Sequence, residues 1–401
     1  MIVLASNKTC TGCSACFNIC PQQAIQMQAD KEGFLQPFIN QEKCIECGLC
    51  VKHCPVINPI NTKKLKQEAY AMISNKDRNV SSSGGAFSVF ARIILSKGGS
   101  VYGATINKKL HIHHIRIDNI EDLSLLRGSK YVQSEIGNCF QLAKKDLQNG
   151  QMVLFTGTPC QIAGLYKYLG KKYEDLLITL DLVCHGVPSQ GVFNEYIKKI
   201  ENTITNGEKI QEFRFRKLDS WDYRPAIKFT KSKWRKLNLW ENAYMNAFFE
   251  GYIFRESCFQ CQYCNINRIG TFTIADFWGI GRHGLPFKKN IASGVSLVID
   301  NYNTIPILKE SILQEAYIEK RTIEEAIAKQ TNLINPLPRQ PQRDKAINLL
   351  MNPNITLKEF SKACDLPWKV TFKYIVIKIL KDLIYALGLY NVYKSLIYRI
   401  K

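Results

Sequence analysis

Residues Cys10–Pro21 read CTGCSACFNICP, and residues Cys44–Pro55 read CIECGLCVKHCP. Each run has the form C-x2-C-x2-C-x3-C-P, so the second is a copy of the first. Three thiols spaced two residues apart can wrap one small object in a tight loop. Pro21 and Pro55 turn the chain away after each fourth cysteine, while Gly12 and Gly48 let the backbone pass close to whatever the thiols hold.

This doubled spacing is the one with which bacterial ferredoxin modules hold two [4Fe–4S] clusters, the fourth cysteine of each run crossing to the other cluster. It assigns Cys10, Cys13, Cys16 and Cys54 to one cluster and Cys44, Cys47, Cys50 and Cys20 to the second. A pair of zinc sites is the rival reading, but zinc seldom uses a doubled eight-cysteine pattern. Fifteen cysteines in 401 residues could also signal disulfides; those belong to small secreted domains. The apolar start Met1–Ala5 is too short for a signal peptide. The expectation is therefore a reducing cytoplasm with thiols free to bind iron.

The formal charge of +20 suits an acidic redox partner or an anionic cofactor. No zinc-finger spacing, RNA-binding signature or helix-turn-helix favours nucleic acid. Residues 59 to 68, PINTKKLKQE, read as a linker. Strand and helix signals then alternate: a strand from Tyr70 to Ser74, a glycine turn opening an apolar helix from Ser81, and a strand from Gly99. The histidines His111, His113 and His114 fall in a strand-like stretch and read as surface or core residues.

Met152–Thr156 reads as a strand ending in the turn GTPCQIAGLYKYL, with Pro159 in the first turn of a helix. Leu176–Val183 is the next strand and ends in CHGVPSQGVFNEYIKKI, again a turn and a helix. Cys160 and Cys184 thus stand just past the carboxyl ends of successive strands, the edge where open α/β sheets bind ligands. Downstream, CFQCQYC supplies Cys258, Cys261 and Cys264 with no local fourth cysteine. Either Cys160 or Cys184 can complete a third [4Fe–4S] cluster; a zinc site of the same thiolates and buried free thiols are the alternatives. Cys139 and Cys364 read as core residues.

In chain order, SSGG at Ser82–Gly85, SKYVQS at Ser129–Ser134, FTGTPCQIAGL at Phe155–Leu165, DLVCHGVPS at Asp181–Ser189, RESCFQCQYC at Arg255–Cys264 and ADFWG at Ala275–Gly279 make up a joint signature. With it, roughly residues 1 to 300 resemble the beta-subunit family of coenzyme F420-reducing hydrogenase and dehydrogenase. The resemblance implies an FAD- and iron–sulfur-dependent oxidoreductase with a [4Fe–4S] cluster in its catalytic domain. Its electron donor or acceptor would be a redox protein or a coenzyme. Bacterial relatives with a fused ferredoxin and a basic C-terminal extension are similar to proteins of surface-polysaccharide gene clusters. An electron-relay subunit without a substrate of its own, docked on a partner enzyme, is the competing reading.

On that basis the expected fold is an α+β ferredoxin-like two-cluster module (1–58), the linker (59–68), an α/β flavin and iron–sulfur domain in two parts (69–150 and 151–305) and a helical basic tail (306–401). An FAD pyrophosphate suits a helix N-terminus, and Ser82, Ser83, Gly84 and Gly85 stand where such a helix begins. Ser129, Lys130, Tyr131 and Gln133 add polar groups, with Lys130 placed to neutralise phosphate, and Thr156, Gly157 and Thr158 supply a second turn. Each hydroxyl could equally be a helix cap. His185, next to Cys184, is the candidate proton donor, against a role as a hydrogen-bonding support. Asp276 and Trp278 can pack beside the flavin, with a core aromatic the stronger reading for Trp278. In the tail, Trp368, Phe372, Ile375, Ile379 and Leu383 share one helical face with lysines on another. Such a helix can pack on the core, or make peripheral contact with the inner face of a membrane.

Overall fold

The computed structural model describes residues 2–61, 66–170, 172–204, 208–216, 223–229, 233–238, 240–282 and 285–364. The amphipathic stretch from Trp368 and part of the linker lie outside the described residues. No helix among the described residues is long and apolar enough to cross a membrane.

In the N-terminal module each cysteine run carries one short helix, α1 (Ala15–Ile19) and α2 (Leu49–Lys52). Between them β1 (Ile25–Ala29) and β2 (Leu35–Ile39) form an antiparallel hairpin. Gly12 adopts φ 65°, and a Cβ there would stand 2.7 Å from Arg255 Nη1. Only glycine lets the first loop approach that guanidinium.

The larger body is built on one eight-stranded sheet. In chain order its strands are β3 (Glu68–Ser74), β4 (Ser100–Ile106), β5 (Ile112–Ile117), β6 (Val153–Gly157) and β7 (Leu177–Leu182). A small separate sheet follows, made of β8 (Glu212–Arg214), β9 (Ala226–Lys228) and β10 (Arg235–Lys236), and then β11 (Phe272–Asp276), β12 (Ser296–Asp300) and β13 (Ala316–Arg321) rejoin the large one. The spatial order is β13-β3-β12-β11-β7-β6-β4-β5. The central strands β4, β6, β7 and β11 run parallel, and the flanking pairs are antiparallel.

Strand alternation explains how the sheet is covered on both faces. On β6, Leu154 joins the apolar cluster around helix α3 (Ala86–Ser96), whose Phe90 stacks on Phe272 at 4.5 Å. Its neighbours Val153 and Phe155 point the other way, into the cluster of α5 (Cys139–Gln148) and α6 (Pro159–Leu169); the short α4 (Leu123–Leu126) precedes them. Helix α7 (Gln190–Ile204) packs against the small sheet through Phe193, 5.1 Å from Phe213. Cys139 and Cys364 are buried in these cores.

The sheet draws strands from 69–150, from 151–305 and from beyond 305, so the two parts of the α/β domain share one core. One expectation is corrected. Within the segment expected to be a helical tail, Ala316–Arg321 is a strand, because its backbone pairs antiparallel along the free edge of β3.

Candidate metal centre and cofactor cavity

Cys10, Cys13, Cys16 and Cys54 line one small cavity of about 20 Å³. Cys20, Cys44, Cys47 and Cys50 line another, also of about 20 Å³. The crossing is thus present in space: Cys54 joins the first run and Cys20 the second. Burial, reinforced by the nearby Cys10 and Cys54, pushes the Cys13 thiol up to about 12 and Cys16 well above its usual value. Thiols this hard to ionise become ligands when a cation displaces their protons. Among the described residues, no group of His, Cys, Asp or Glu converges as the ligands of a single metal ion. A cluster, by contrast, needs its thiolates spread around a cube.

The module is docked on the body, with its Cys10 set inward and Cys47 exposed. Arg255, 1% exposed, holds the two together. Its Nε donates to Cys10 O at 2.7 Å, Nη1 to Gln133 Oε1 at 3.0 Å, and Nη2 to Leu35 O and Gln36 Oε1, both at 2.9 Å. Gln133 Nε2 in turn donates to Thr11 O at 2.7 Å. Across the hairpin, Ser189 Oγ donates to Glu32 O at 2.6 Å, and Arg343 pairs with the Glu32 carboxylate at 2.6 Å.

Beneath the Cys10 set lies the second group of thiols. A Cβ on Gly164 would come 3.0 Å from Cys13 Cβ, so α6, whose first turn carries Cys160, lies flat on the Cys13 loop. Burial pushes Cys160 up to about 11 and Cys258 to about 12, Cys261 adding to both and the Arg255 charge opposing. Burial and the neighbouring Cys258, Cys160 and Cys261 likewise raise Cys184. A hydrogen bond from Cys264 pulls Cys261 down to about 7. The structure therefore brings Cys160, Cys184, Cys258, Cys261 and Cys264 together. A buried ion pair, Arg268 Nη2 with Asp181 Oδ1 at 3.0 Å, fixes the CFQCQYC loop to β7. Asp181 also accepts from the backbone of Ile269 and Gly270 at 3.2 and 2.9 Å.

Past the carboxyl ends of the parallel strands lies a cleft of about 470 Å³, with Cys184 in its wall. Ser82, Ser83, Gly85, Ser129, Lys130, Tyr131, Thr156, Thr158 and His185 border it, as do Asp276 and Trp278. Gly85, at φ 87°, caps α3, and the first turn of α3 faces the cleft. Ser82 Oγ accepts from Ser129 N at 3.0 Å, tying the two serine motifs together. Thr158 is a helix cap, its N–H and hydroxyl both donating to Gln161 Oε1, at 3.0 and 3.1 Å. Burial pushes the Lys130 ammonium down to about 7; it donates to Leu126 O and Arg127 O, each at 2.9 Å, beyond the end of α4.

Three expected cofactor residues stand outside the lining. Gln133 serves the module interface. Gly84 is wedged between strands, where a Cβ would meet Met72 O at 2.2 Å, and a Cβ on Gly157 would meet Gln161 Oε1 at 3.1 Å. His185 reaches the cleft with both ring nitrogens engaged: Nε2 donates to Phe249 O at 3.0 Å and Nδ1 accepts from Asn332 Nδ2 at 3.0 Å. Sequence reasoning missed Arg255, Arg268 and Arg216. Arg255 and Arg268 flank the cysteine run closely enough to be suspected; Arg216 sits in no motif.

Residues 9–58 match the family model of a 4Fe-4S dicluster domain, and residues 150–326 match that of the C terminus of the coenzyme F420 hydrogenase/dehydrogenase beta subunit. The ferredoxin-type protein NapF of Haemophilus influenzae is 42% identical over 55 residues, 14% of this chain and 31% of that protein. A polyferredoxin-like protein of Methanocaldococcus jannaschii is 34% identical over 73 residues, 15% of this chain and 44% of its own. The chain thus spans less than half the length of either curated relative. A chain of the F420-reducing [NiFe] hydrogenase complex from Methanosarcina barkeri aligns with TM-score 0.46 and 14% identity, over 68% of this chain and 91% of that one.

Proposed function

From a chain whose N-terminal segment belongs to the 4Fe-4S dicluster domains and whose residues 150–326 belong to the family formed by the C-terminal part of F420 hydrogenase/dehydrogenase beta subunits, we propose an iron–sulfur flavoprotein oxidoreductase. The observation that carries this reading is the contiguity of sites. The Cys10 set abuts the group around Cys258, and Cys184 of that group lines the cleft. Iron–sulfur clusters would supply single electrons there, and FAD would gather two and deliver a hydride.

The cleft fits FAD in its donors. The amides opening α3 suit a pyrophosphate, and Ser82 and Ser129 hold the two walls at fixed distance. Tyr131 and Trp278 add aromatic rings to its lining. Lys130, held near its neutral form by burial, can give or take a proton at Nζ close to pH 7. His185, as placed, orients the loop after Cys184; donating its Nε2 proton would cost the bond to Phe249 O. Arg255 braces the protein between the two cysteine groups.

The donor or acceptor is proposed to be a redox protein or coenzyme meeting the exposed Cys47 face, and the surface-polysaccharide setting is proposed on the sequence resemblance alone. The five-thiol group is tested by Cys258→Ala, which should remove about four irons and leave the two ferredoxin sets loaded. Unchanged iron content, or zinc in its place, would sink the third cluster. Cys160→Ala and Cys184→Ala show which thiol completes it.

A further inference from the structure

The cleft shares a wall with a second cavity of about 430 Å³. Arg127, Gly128, Ser129, Lys130 and Arg216 border both. The second cavity is also lined by β8 and Trp234, and Arg214 lies 4.3 Å from the Trp234 ring centre. Its charged lining is cationic apart from Glu212, which Lys228 pairs at 2.7 Å.

Arg216 has donors to spare. It is 4% exposed, and its Nη1 donates to Asp276 Oδ2 at 2.7 Å. Its guanidinium carbon lies 4.4 Å from the Tyr223 ring centre. Burial disfavours the charge, but the Asp276 carboxylate outweighs it and holds the group protonated. Yet Nε and Nη2 are buried without a well-formed hydrogen bond among the described residues, although the Tyr131 phenol stands close to the guanidinium. Unpaired donors on a buried cation are costly, and their fork matches the paired oxygens of a carboxylate or phosphate. A structural ion pair with Asp276 would need only one edge of the guanidinium and would not explain why the other is kept dry beside two cavities.

We propose that the second cavity is the substrate site, and that Arg216 determines specificity there by gripping the carboxylate or phosphate of an organic anion through Nε and Nη2. The Trp234 ring provides a flat apolar surface for the rest of that molecule. The proposal rests on FAD occupying the neighbouring cleft, since it places the anion beside the flavin.

The test uses the full chain, purified anaerobically and saturated with FAD. Inorganic phosphate and glutarate are titrated by calorimetry, and flavin content is measured separately by release on denaturation. Saturable binding of at least one probe is expected. Arg216→Gln should weaken it about tenfold or more with flavin content unchanged, and Arg216→Lys less. Arg214→Ala, at an exposed position of the same cavity, should weaken it several-fold and carries the test should Arg216→Gln fail to fold. No saturable binding in the unaltered protein, or equal binding in Arg216→Gln, overturns the proposal. So does loss of FAD from a folded Arg216→Gln, which would give the guanidinium to the cofactor. Unaltered protein that takes up no FAD defeats the flavin reading by itself, while the titration still reports on the cavity.

Discussion

His114 shows how one buried ring supports the cleft without entering it. Its Nε2 donates to Thr156 O at 2.8 Å, and its Nδ1 accepts from Ser134 Oγ at 2.8 Å, so it joins the end of β6 to the SKYVQS segment. Burial depresses its pKa from 6.5 to about 4, and neighbouring His113 and Lys130 add to the effect. The folded state therefore favours the neutral ring, and the unfolded chain binds the extra proton between those values. Stability from this residue is complete above pH 6.5 and is lost as pH falls toward 4. Between pH 7 and pH 5 the loss should be about 2 kcal/mol. Urea midpoints at the two pH values should show it in the unaltered protein and not in His114→Gln. Equal pH dependence in both would remove His114 from this role.

At the scale of elements, the turn into α3 is the most exacting. Gly85 takes a left-handed φ of 87°, and a Cβ would stand 2.9 Å from Ser74 Cβ. Gly85→Ala should cost about 1–2 kcal/mol of stability through backbone strain. By displacing the first turn of α3 it should also weaken FAD retention about tenfold, read by flavin fluorescence after gel filtration. Retention equal to the unaltered protein would place the flavin phosphates elsewhere. This turn was legible in the sequence, because SSSGG before an apolar run has few other readings. The strands β3, β4, β6 and β7 were legible for a similar reason, being apolar stretches bounded by glycine or polar turns. The edge strand β13 was not. AYIEKR is short and polar, and only pairing with a partner more than 200 residues away makes it a strand.

For the whole molecule, docking is the feature that local pattern could not reveal. Spacing alone divides the eight N-terminal cysteines, since ligation by short loops is local chemistry. The contacts of Arg255 with Cys10, Gln133 with Thr11 and Arg343 with Glu32 join residues far apart in sequence, and nothing periodic marks them. Gln133 belongs to a motif expected to serve the cofactor, yet it serves the module, because the SKYVQS segment passes between the two. That docking puts the Cys10 set over Cys160 and the cleft beyond Cys184, and it makes three cysteine groups and one cavity a single continuous path. The most direct measurement is the iron and flavin content of the anaerobically purified chain, with its absorbance spectrum. The account predicts about twelve irons and one noncovalent FAD per chain. About eight irons, with no flavin bound or taken up, would contradict it.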